Sequence, residues 1–265
     1  MKRLAARAVA LAGAVYVALC ALFWFVQDGL FFHPDPRPLT DCRAPAGVEI
    51  VEYEGERALF TPSNGDGLLI FYHGNAGGAC GWRFLGPNHV GPLGFDTLVV
   101  EFPGYAGDPR QPSGAAFADL IERTARWAAR YDSVVVSGFS LGSGVASLHA
   151  AHAPPEAVLL FAPFRDFPEL VRSKGGVFPR FLFRTDFDNS ALLAESGAPT
   201  FIVYGTADAI IPAEMSLALA GDLGAQVAGI TEVPGARHND LIGAVDLEGV
   251  LRQTLATARQ ERQAE

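Results

Sequence analysis

The stretch that most constrains this chain is residues 137–144, SGFSLGSG, which follow the β-branched run 133–136 and precede a run of small residues. Gly138, Ser140 and Gly142 form the Gly-x-Ser-x-Gly pattern of a serine on a sharp turn between a strand and a helix. Such a turn leaves no room for a Cβ atom two residues to either side of the serine. We therefore predict a nucleophilic serine; the alternative is an ordinary glycine-rich turn in a chain with 29 glycines.

A carboxylate and an imidazole follow at the ends of two later strands. Asp208 comes directly after the apolar run 201–204, and His238 lies just beyond the run 226–233. The aspartate would accept a hydrogen bond from the imidazole and fix its tautomer, while the imidazole takes the serine proton. The order Ser140, Asp208, His238 is the one that strand–turn–helix nucleophiles use. We predict that these three residues form a catalytic triad.

A glycine-rich loop, HGNAGG, ends the first buried strand at 68–72. The tetrahedral intermediate of a serine nucleophile needs two backbone N–H groups, one from the residue after the serine and one from this loop. Leu141 and Asn75 would supply them. Gly74 lets the backbone approach closely, and His73 is interpreted as a structural residue that holds the loop. The loop lacks the lysine and the spacing of nucleotide-binding loops, so we exclude that function.

Buried strands alternate with helices along the rest of the chain. The predicted strands are 48–53, 57–61, 68–72, 97–102, 133–136, 157–161, 201–204 and 226–233. Helices are predicted at 112–129, after the sharp turn at Ser140 (the elbow), and at 241–259. This alternation predicts an α/β fold with a mostly parallel central sheet flanked by helices. An irregular insert at about 163–197 should form a small cap above the strand ends. Its phenylalanines, Phe178, Phe181, Phe183 and Phe187, suggest an apolar substrate group, although packing within the cap is the simpler interpretation.

An uncharged apolar run of 19 residues, 8–26, follows Lys2, Arg3 and Arg7. As a helix it would extend about 28 Å, close to the roughly 30 Å hydrocarbon core of a bilayer. A cleaved signal peptide is the alternative, but its apolar region should be only about 7–15 residues long. The preceding positive charges predict a cytoplasmic N-terminus and an exported body. We expect an uncleaved single-pass anchor. In a bacterium, this anchor would lie in the inner membrane, and the body of the protein would face the periplasm.

The expected organisation is a membrane anchor at 1–30, a proline-spaced linker at 31–47 and one domain at 48–260 that includes the cap. The net charge of −9 argues against a nucleic-acid partner. An exported body would permit a disulfide between Cys42 and Cys80.

His149 and His152 are interpreted as helix-surface or cap residues, because no third ligand lies near them. We therefore expect no metal and no cofactor.

With these pieces together, the sequence resembles the α/β-hydrolases, and more narrowly the small membrane-anchored serine hydrolases related to α/β-hydrolase-domain (ABHD-type) proteins. The resemblance rests on 73–77 (HGNAG), 102–105 (FPGY), 138–142 (GFSLG), Asp208 with Ile211 and Pro212, His238, and the aromatic-proline stretch 31–34. It implies hydrolysis of esters or thioesters through an acyl-enzyme, without a cofactor, on a small-molecule or lipid acyl substrate. Residues 104–108, GYAGD, depart from the family by lacking the serine that often follows this turn.

Two other functions stay open. A peptidase of the same fold usually carries a large extra domain for substrate selection, for which this chain has no room. A catalytically silent, membrane-tethered binding or scaffold protein would be marked by the loss of a triad residue, and all three residues are present. A haloalkane-type hydrolase is excluded, because its nucleophile would be an aspartate where Ser140 stands.

Overall fold

A single eight-stranded sheet forms the centre of the computed structural model, which describes residues 1–264 and side chains through residue 260. The strands are β1 (Glu49–Tyr53), β2 (Glu56–Thr61), β3 (Gly67–Tyr72), β4 (Phe95–Val100), β5 (Ser133–Phe139), β6 (Ala157–Phe161), β7 (Thr200–Gly205) and β8 (Val227–Val233). Their order is β1-β2-β4-β3-β5-β6-β7-β8. β1 and β2, and β2 and β4, pair antiparallel, and the other neighbours pair parallel. The predicted mostly parallel sheet is confirmed.

The helices account for most of the remaining regular structure. They are α1 (Lys2–Phe31), α2 (Gly114–Ala128), α3 (Leu141–His152), α4 (Phe167–Ser173), α5 (Asn189–Ser196), α6 (Ala213–Leu223), α7 (Leu241–Ala244) and α8 (Leu247–Ala264). The prediction of one helix over 241–259 is wrong, because the chain leaves helical geometry at Val245, where ψ is 148°. The side chain of Asp246 then accepts the N–H of Gly249 at 3.0 Å and starts α8 as a new helix.

The sheet brings the loops that follow its strands to one edge. Every residue of β3, β4 and β7 is buried, as expected for strands covered by helices on both faces. The parallel register sets Tyr72 beside Gly138 and Phe139 beside Phe161. Because parallel strands end at the same edge, the loops after β3, β5, β7 and β8 meet there, which is where open α/β sheets bind ligands.

α1 is the one helix, within residues 1–264, that is long and apolar enough to cross a membrane. Its second half lies against the insert between β6 and β7. Phe23 is buried and stacks on Phe178 of the insert with ring centroids 4.0 Å apart. Phe183 and Phe187 are also buried, whereas Phe181 is 80% exposed. Most of the insert's phenylalanines therefore pack within the protein and do not line an open substrate site.

A disulfide joins Cys42 to Cys80 across a sequence separation of 38 residues, with the two Cα atoms 5.6 Å apart. It fastens the segment that follows α1 to the turn after β3. Nearby, Phe32 and Leu39 are buried, and the N–H of Ala106 donates to the carbonyl of Asp35 at 2.8 Å. The chain between α1 and β1 is therefore attached to the domain at several points.

Replacing Cys42 and Cys80 together by serine should lower the free energy of unfolding by about 3–4 kcal/mol, because the cross-link restricts the unfolded chain. Urea titration of the full chain in detergent measures this change. Cys20→Ser, at the cysteine without a disulfide, serves as the control and should leave the midpoint unchanged. Equal midpoints for the double variant and the wild type would contradict the prediction.

Candidate active site

Ser140 lies in a strained turn between β5 and α3. Its backbone has φ 56° and ψ −118°, a conformation that L-residues rarely adopt. A Cβ on Gly138 would lie 2.1 Å from the carbonyl oxygen of Gly142, and a Cβ on Gly142 would lie 2.1 Å from that of Tyr72. The N–H of Ser140 donates to the carbonyl of Phe161 on β6 at 2.9 Å. The glycine spacing thus permits the backbone contacts that hold Ser140 at the end of the sheet.

The structure brings Ser140, His238 and Asp208 into one hydrogen-bonded row. The Oγ of Ser140 donates to Nε2 of His238 at 2.9 Å, and Nδ1 of His238 donates to Oδ2 of Asp208 at 2.6 Å. The other carboxylate oxygen, Oδ1, accepts the N–H groups of Ile210 and Ile211 at 2.8 Å each. All three side chains are less than a tenth exposed. This arrangement fixes the aspartate by backbone contacts and gives the imidazole one tautomer, with a free electron pair directed at Ser140.

Two backbone amides at this edge are available to an anion. Leu141 is the first residue of α3, where helical N–H groups have no partner within the helix and the helix dipole favours negative charge. Asn75 follows β3 in the loop whose Gly74 would meet the ring of Phe139 if it carried a Cβ. Within the described part of the chain, neither N–H group donates to a protein acceptor. Both predicted oxyanion donors are therefore free at the edge that holds Ser140.

The side chain of Asn75 ties three segments together, a role that the sequence pattern did not indicate. Its Nδ2 donates to the carbonyl of Phe31 at the end of α1 at 2.6 Å. Its Oδ1 accepts the N–H of His33 at 2.9 Å and the hydroxyl of Tyr105 at 2.7 Å. The divergent loop 104–108 is thus joined to the loop after β3 through Tyr105. Because the side chain is used in this way, the backbone N–H is the group of Asn75 left for a ligand.

His73 lies beneath this loop, fully buried. Its Nδ1 lies 2.7 Å from the carbonyl oxygen of Gly74, and its Nε2 lies 2.9 Å from Oε1 of Glu101. The same carboxylate accepts the N–H groups of Ala79 and Phe102 at 3.0 and 3.1 Å. Sequence reasoning missed Glu101, although an acidic residue within an apolar run is a usable signal. The predicted strand 97–102 is also wrong at its end, because β4 stops at Val100.

The interpretation of His149 as a helix-surface or cap residue is wrong. Its side chain is 1% exposed, because α3 lies between the sheet and neighbouring helices. The hydroxyl of Tyr72 donates to Nδ1 of His149 at 2.6 Å. Burial lowers the pKa of His149 to about 3, so the ring is neutral and accepts this bond. His152, in contrast, is exposed.

A surface pocket of about 330 Å³ opens beside His238 and is lined further by residues of the loops after β7 and β8, among them Ala209, Ile210 and Arg237. Ile210 is 50% exposed and gives this opening an apolar wall. Such a volume suits a small-molecule group. Among residues 1–264, no cluster of three or more histidine, cysteine, aspartate or glutamate side chains could hold a metal ion.

Glu101→Ala should lower the free energy of unfolding by about 3 kcal/mol or more, because it leaves His73 and two backbone N–H groups buried without their partner. Glu101→Gln keeps an acceptor oxygen and should cost less. Chemical denaturation of both variants measures the difference, with the exposed Glu52→Ala expected within about 0.5 kcal/mol of wild type. A Glu101→Ala variant as stable as Glu52→Ala would contradict this account of the loop.

Comparison with known proteins agrees with this fold. Residues 67–182 match a family model described as the alpha/beta hydrolase fold. An uncharacterized protein of Mycobacterium tuberculosis strain H37Rv is 29% identical over 268 residues, which cover 94% of this chain and 95% of that protein. The part of this chain that matches the family model includes the elbow at Ser140 and ends before Asp208 and His238.

Solved structures share the architecture. An esterase of Pyrococcus furiosus matches with a TM-score of 0.64 and 14% identity over 86% of this chain and 98% of that chain. The alpha/beta hydrolase GrgF of Penicillium sp. sh18 matches with a TM-score of 0.64 and 16% identity over 83% and 99%. Est1E of Butyrivibrio proteoclasticus matches with a TM-score of 0.57 and 18% identity over 83% and 100%. The chain has the α/β-hydrolase fold.

Proposed function

We propose that this chain is a serine hydrolase that cleaves carboxylic ester or thioester bonds through an acyl-enzyme. The observation that carries the proposal is the row of hydrogen bonds from Asp208 through His238 to Ser140, at 2.6 and 2.9 Å. The strained turn at Ser140, typical of a nucleophile elbow, supports it further. The structurally similar esterase of Pyrococcus furiosus is consistent with an acyl substrate.

In the proposed reaction, the Oγ of Ser140 attacks the acyl carbonyl while Nε2 of His238 takes its proton. The C=O π bond opens, and the resulting oxyanion accepts hydrogen bonds from the N–H groups of Leu141 and Asn75. The carbonyl then re-forms, the bond to the leaving alcohol or thiol breaks, and His238 gives that group its proton. Asp208 keeps the imidazole oriented throughout.

Water completes the cycle. His238, neutral again, takes a proton from a water molecule that attacks the acyl group on Ser140. The second tetrahedral intermediate uses the same two N–H groups, and its collapse releases the carboxylic acid and returns the proton to Oγ. Every proton in this sequence moves between Ser140, His238, substrate and water, so the proposed reaction needs no metal and no cofactor. The pocket beside His238 is the proposed site of part of the substrate.

We also propose that α1 is an uncleaved single-pass anchor with its N-terminus in the cytoplasm and the domain exported. Lys2, Arg3 and Arg7 before the apolar run support this orientation. The disulfide supports an oxidising compartment such as the periplasm of a bacterium. Cleavage of α1 would uncover the buried surface that Phe23 and Gln27 share with the cap, which favours retention. The proposed organisation is an anchor at 1–30, a linker at 31–47, and a catalytic domain at 48–260 with its cap at about 163–197.

Labelling with a fluorophosphonate probe tests the proposed nucleophile. Wild-type protein should be labelled, Ser140→Ala should not, and His238→Ala should label about 10³-fold more slowly or worse because the serine loses its base. Asp208→Asn should also be slow, since it favours the wrong imidazole tautomer.

The exposed Ser173→Ala and His152→Ala serve as matched controls and should label like the wild type. Absence of label on folded wild-type protein would contradict the proposal and favour a membrane-tethered binding protein of the same fold. Label that persists in Ser140→Ala would assign the reactive group to another residue.

A further inference from the structure

One face of α1 is a contact surface for the cap. Tyr16, Cys20, Phe23, Gln27 and Phe31 are spaced by four, three, four and four residues, so they share one side of the helix. The contacts begin at Phe31, whose ring lies 5.0 Å from that of a cap phenylalanine, and end at Tyr16, which hydrogen-bonds to the cap. The cap thus follows α1 for about 22 Å.

The strongest part of this contact is polar and fully enclosed. Gln27 has no exposed surface. Its Nε2 donates to the carbonyl of Leu182 at 2.9 Å, and its Oε1 accepts the N–H of Arg184 at 2.8 Å. Asp28 forms an ion pair with the guanidinium of Arg184. A buried amide that satisfies two backbone groups of the cap fixes the cap against the helix.

The depth of this contact conflicts with a cap that stays wholly in water. Tyr16 lies ten residues before the outer end of the apolar run 8–26, about 15 Å along the helix axis. Its hydroxyl donates to the carbonyl of Val177 at 3.0 Å. If the apolar run lies in the bilayer, then the part of the cap that touches Tyr16 lies in the bilayer too.

The surface of this part of the cap suits lipid. We define the cap tip as residues 174–184. Val177 and Phe181 of the tip are 68% and 80% exposed, so the protein itself leaves two large apolar side chains uncovered. The carbonyl of Val177 accepts the hydroxyl of Tyr16, so this backbone group of the tip has a partner on α1.

The tip also carries three basic residues, Lys174, Arg180 and Arg184. Arg180 forms ion pairs with Asp166, Asp186 and Asp188, and Arg184 forms one with Asp28, so the charges of these two guanidinium groups are balanced within the protein. Long basic side chains beside an apolar insertion place their polar ends at the level of the headgroups. Lys174 donates to the carbonyl of Ala209 at 2.7 Å, next to Asp208, so the tip borders the candidate active site.

We propose that the cap tip is a second membrane contact, in which Val177 and Phe181 enter the acyl chains beside α1 and the basic residues lie among the headgroups. The partner is the lipid leaflet on the side of the catalytic domain. The inference rests on the anchoring role of α1 proposed above, and not on the chemistry of Ser140.

Spin-label accessibility in nanodiscs of phosphatidylcholine and phosphatidylglycerol tests it. Nitroxide labels are attached to Val177→Cys or Phe181→Cys in the full chain with Cys20→Ala and the disulfide intact. The collision rate of each nitroxide with oxygen, which concentrates in hydrocarbon, is compared with its collision rate with a water-soluble nickel chelate. Two control labels occupy exposed apolar positions: Leu11→Cys on α1 and Leu217→Cys on α6, which are 67% and 46% exposed. Each variant must keep the wild-type melting temperature.

The Val177 and Phe181 labels should behave like the Leu11 label, losing nickel access and gaining oxygen access relative to the Leu217 label. Nickel access at Phe181 equal to that at Leu217, with Leu11 still in hydrocarbon, would overturn the tip contact alone. Nickel access at both Phe181 and Leu11 would overturn the anchor as well. A Phe181 label shielded from both reagents would assign the surface to a protein partner, such as a second copy of this chain.

Discussion

The close approach of three backbone segments at the elbow is the constraint on which the candidate site depends. A Cβ on Gly142 would lie 2.1 Å from the carbonyl oxygen of Tyr72, so β3, β5 and the start of α3 meet only with glycine there. The same approach holds Ser140 at φ 56° and leaves the N–H of Leu141 free at the start of a helix. Parallel pairing then brings the loops that carry Asp208 and His238 to this edge.

The parts of the molecule that follow local rules could be predicted from the sequence. The central strands are continuous apolar runs because both their faces are covered, and the predicted sheet is confirmed apart from strand ends such as that of β4. The residues predicted for the triad come together because each lies in the turn or loop that follows a strand, and these strands end at the same edge. The spacing of Gly138 and Gly142 around Ser140 indicates a turn too tight for a Cβ atom, and this can be recognised in the sequence alone. Ser140 could therefore be predicted as the nucleophile.

The parts that depend on long-range contacts could not be predicted. Asn75 meets Phe31 across a separation of 44 residues, and nothing in the spacing of the chain encodes that contact. The cap-facing side of α1 is hidden because an apolar run has no contrasting polar face to show a period. Gln27 lies just beyond that run, and its partners in the cap are more than 150 residues away. The burial of His149 could not be predicted, because the neighbours that cover it come from distant segments.

Trapping of the acyl-enzyme tests the central claim most directly. Wild-type protein is mixed with a p-nitrophenyl ester, quenched in acid and analysed by intact mass and peptide mapping. The account predicts a rapid release of nitrophenolate equal to the amount of protein, with the acyl group on the peptide that contains Ser140 and on that residue. Ester hydrolysis without such a burst or acyl adduct, or an acyl group on another residue, would contradict it.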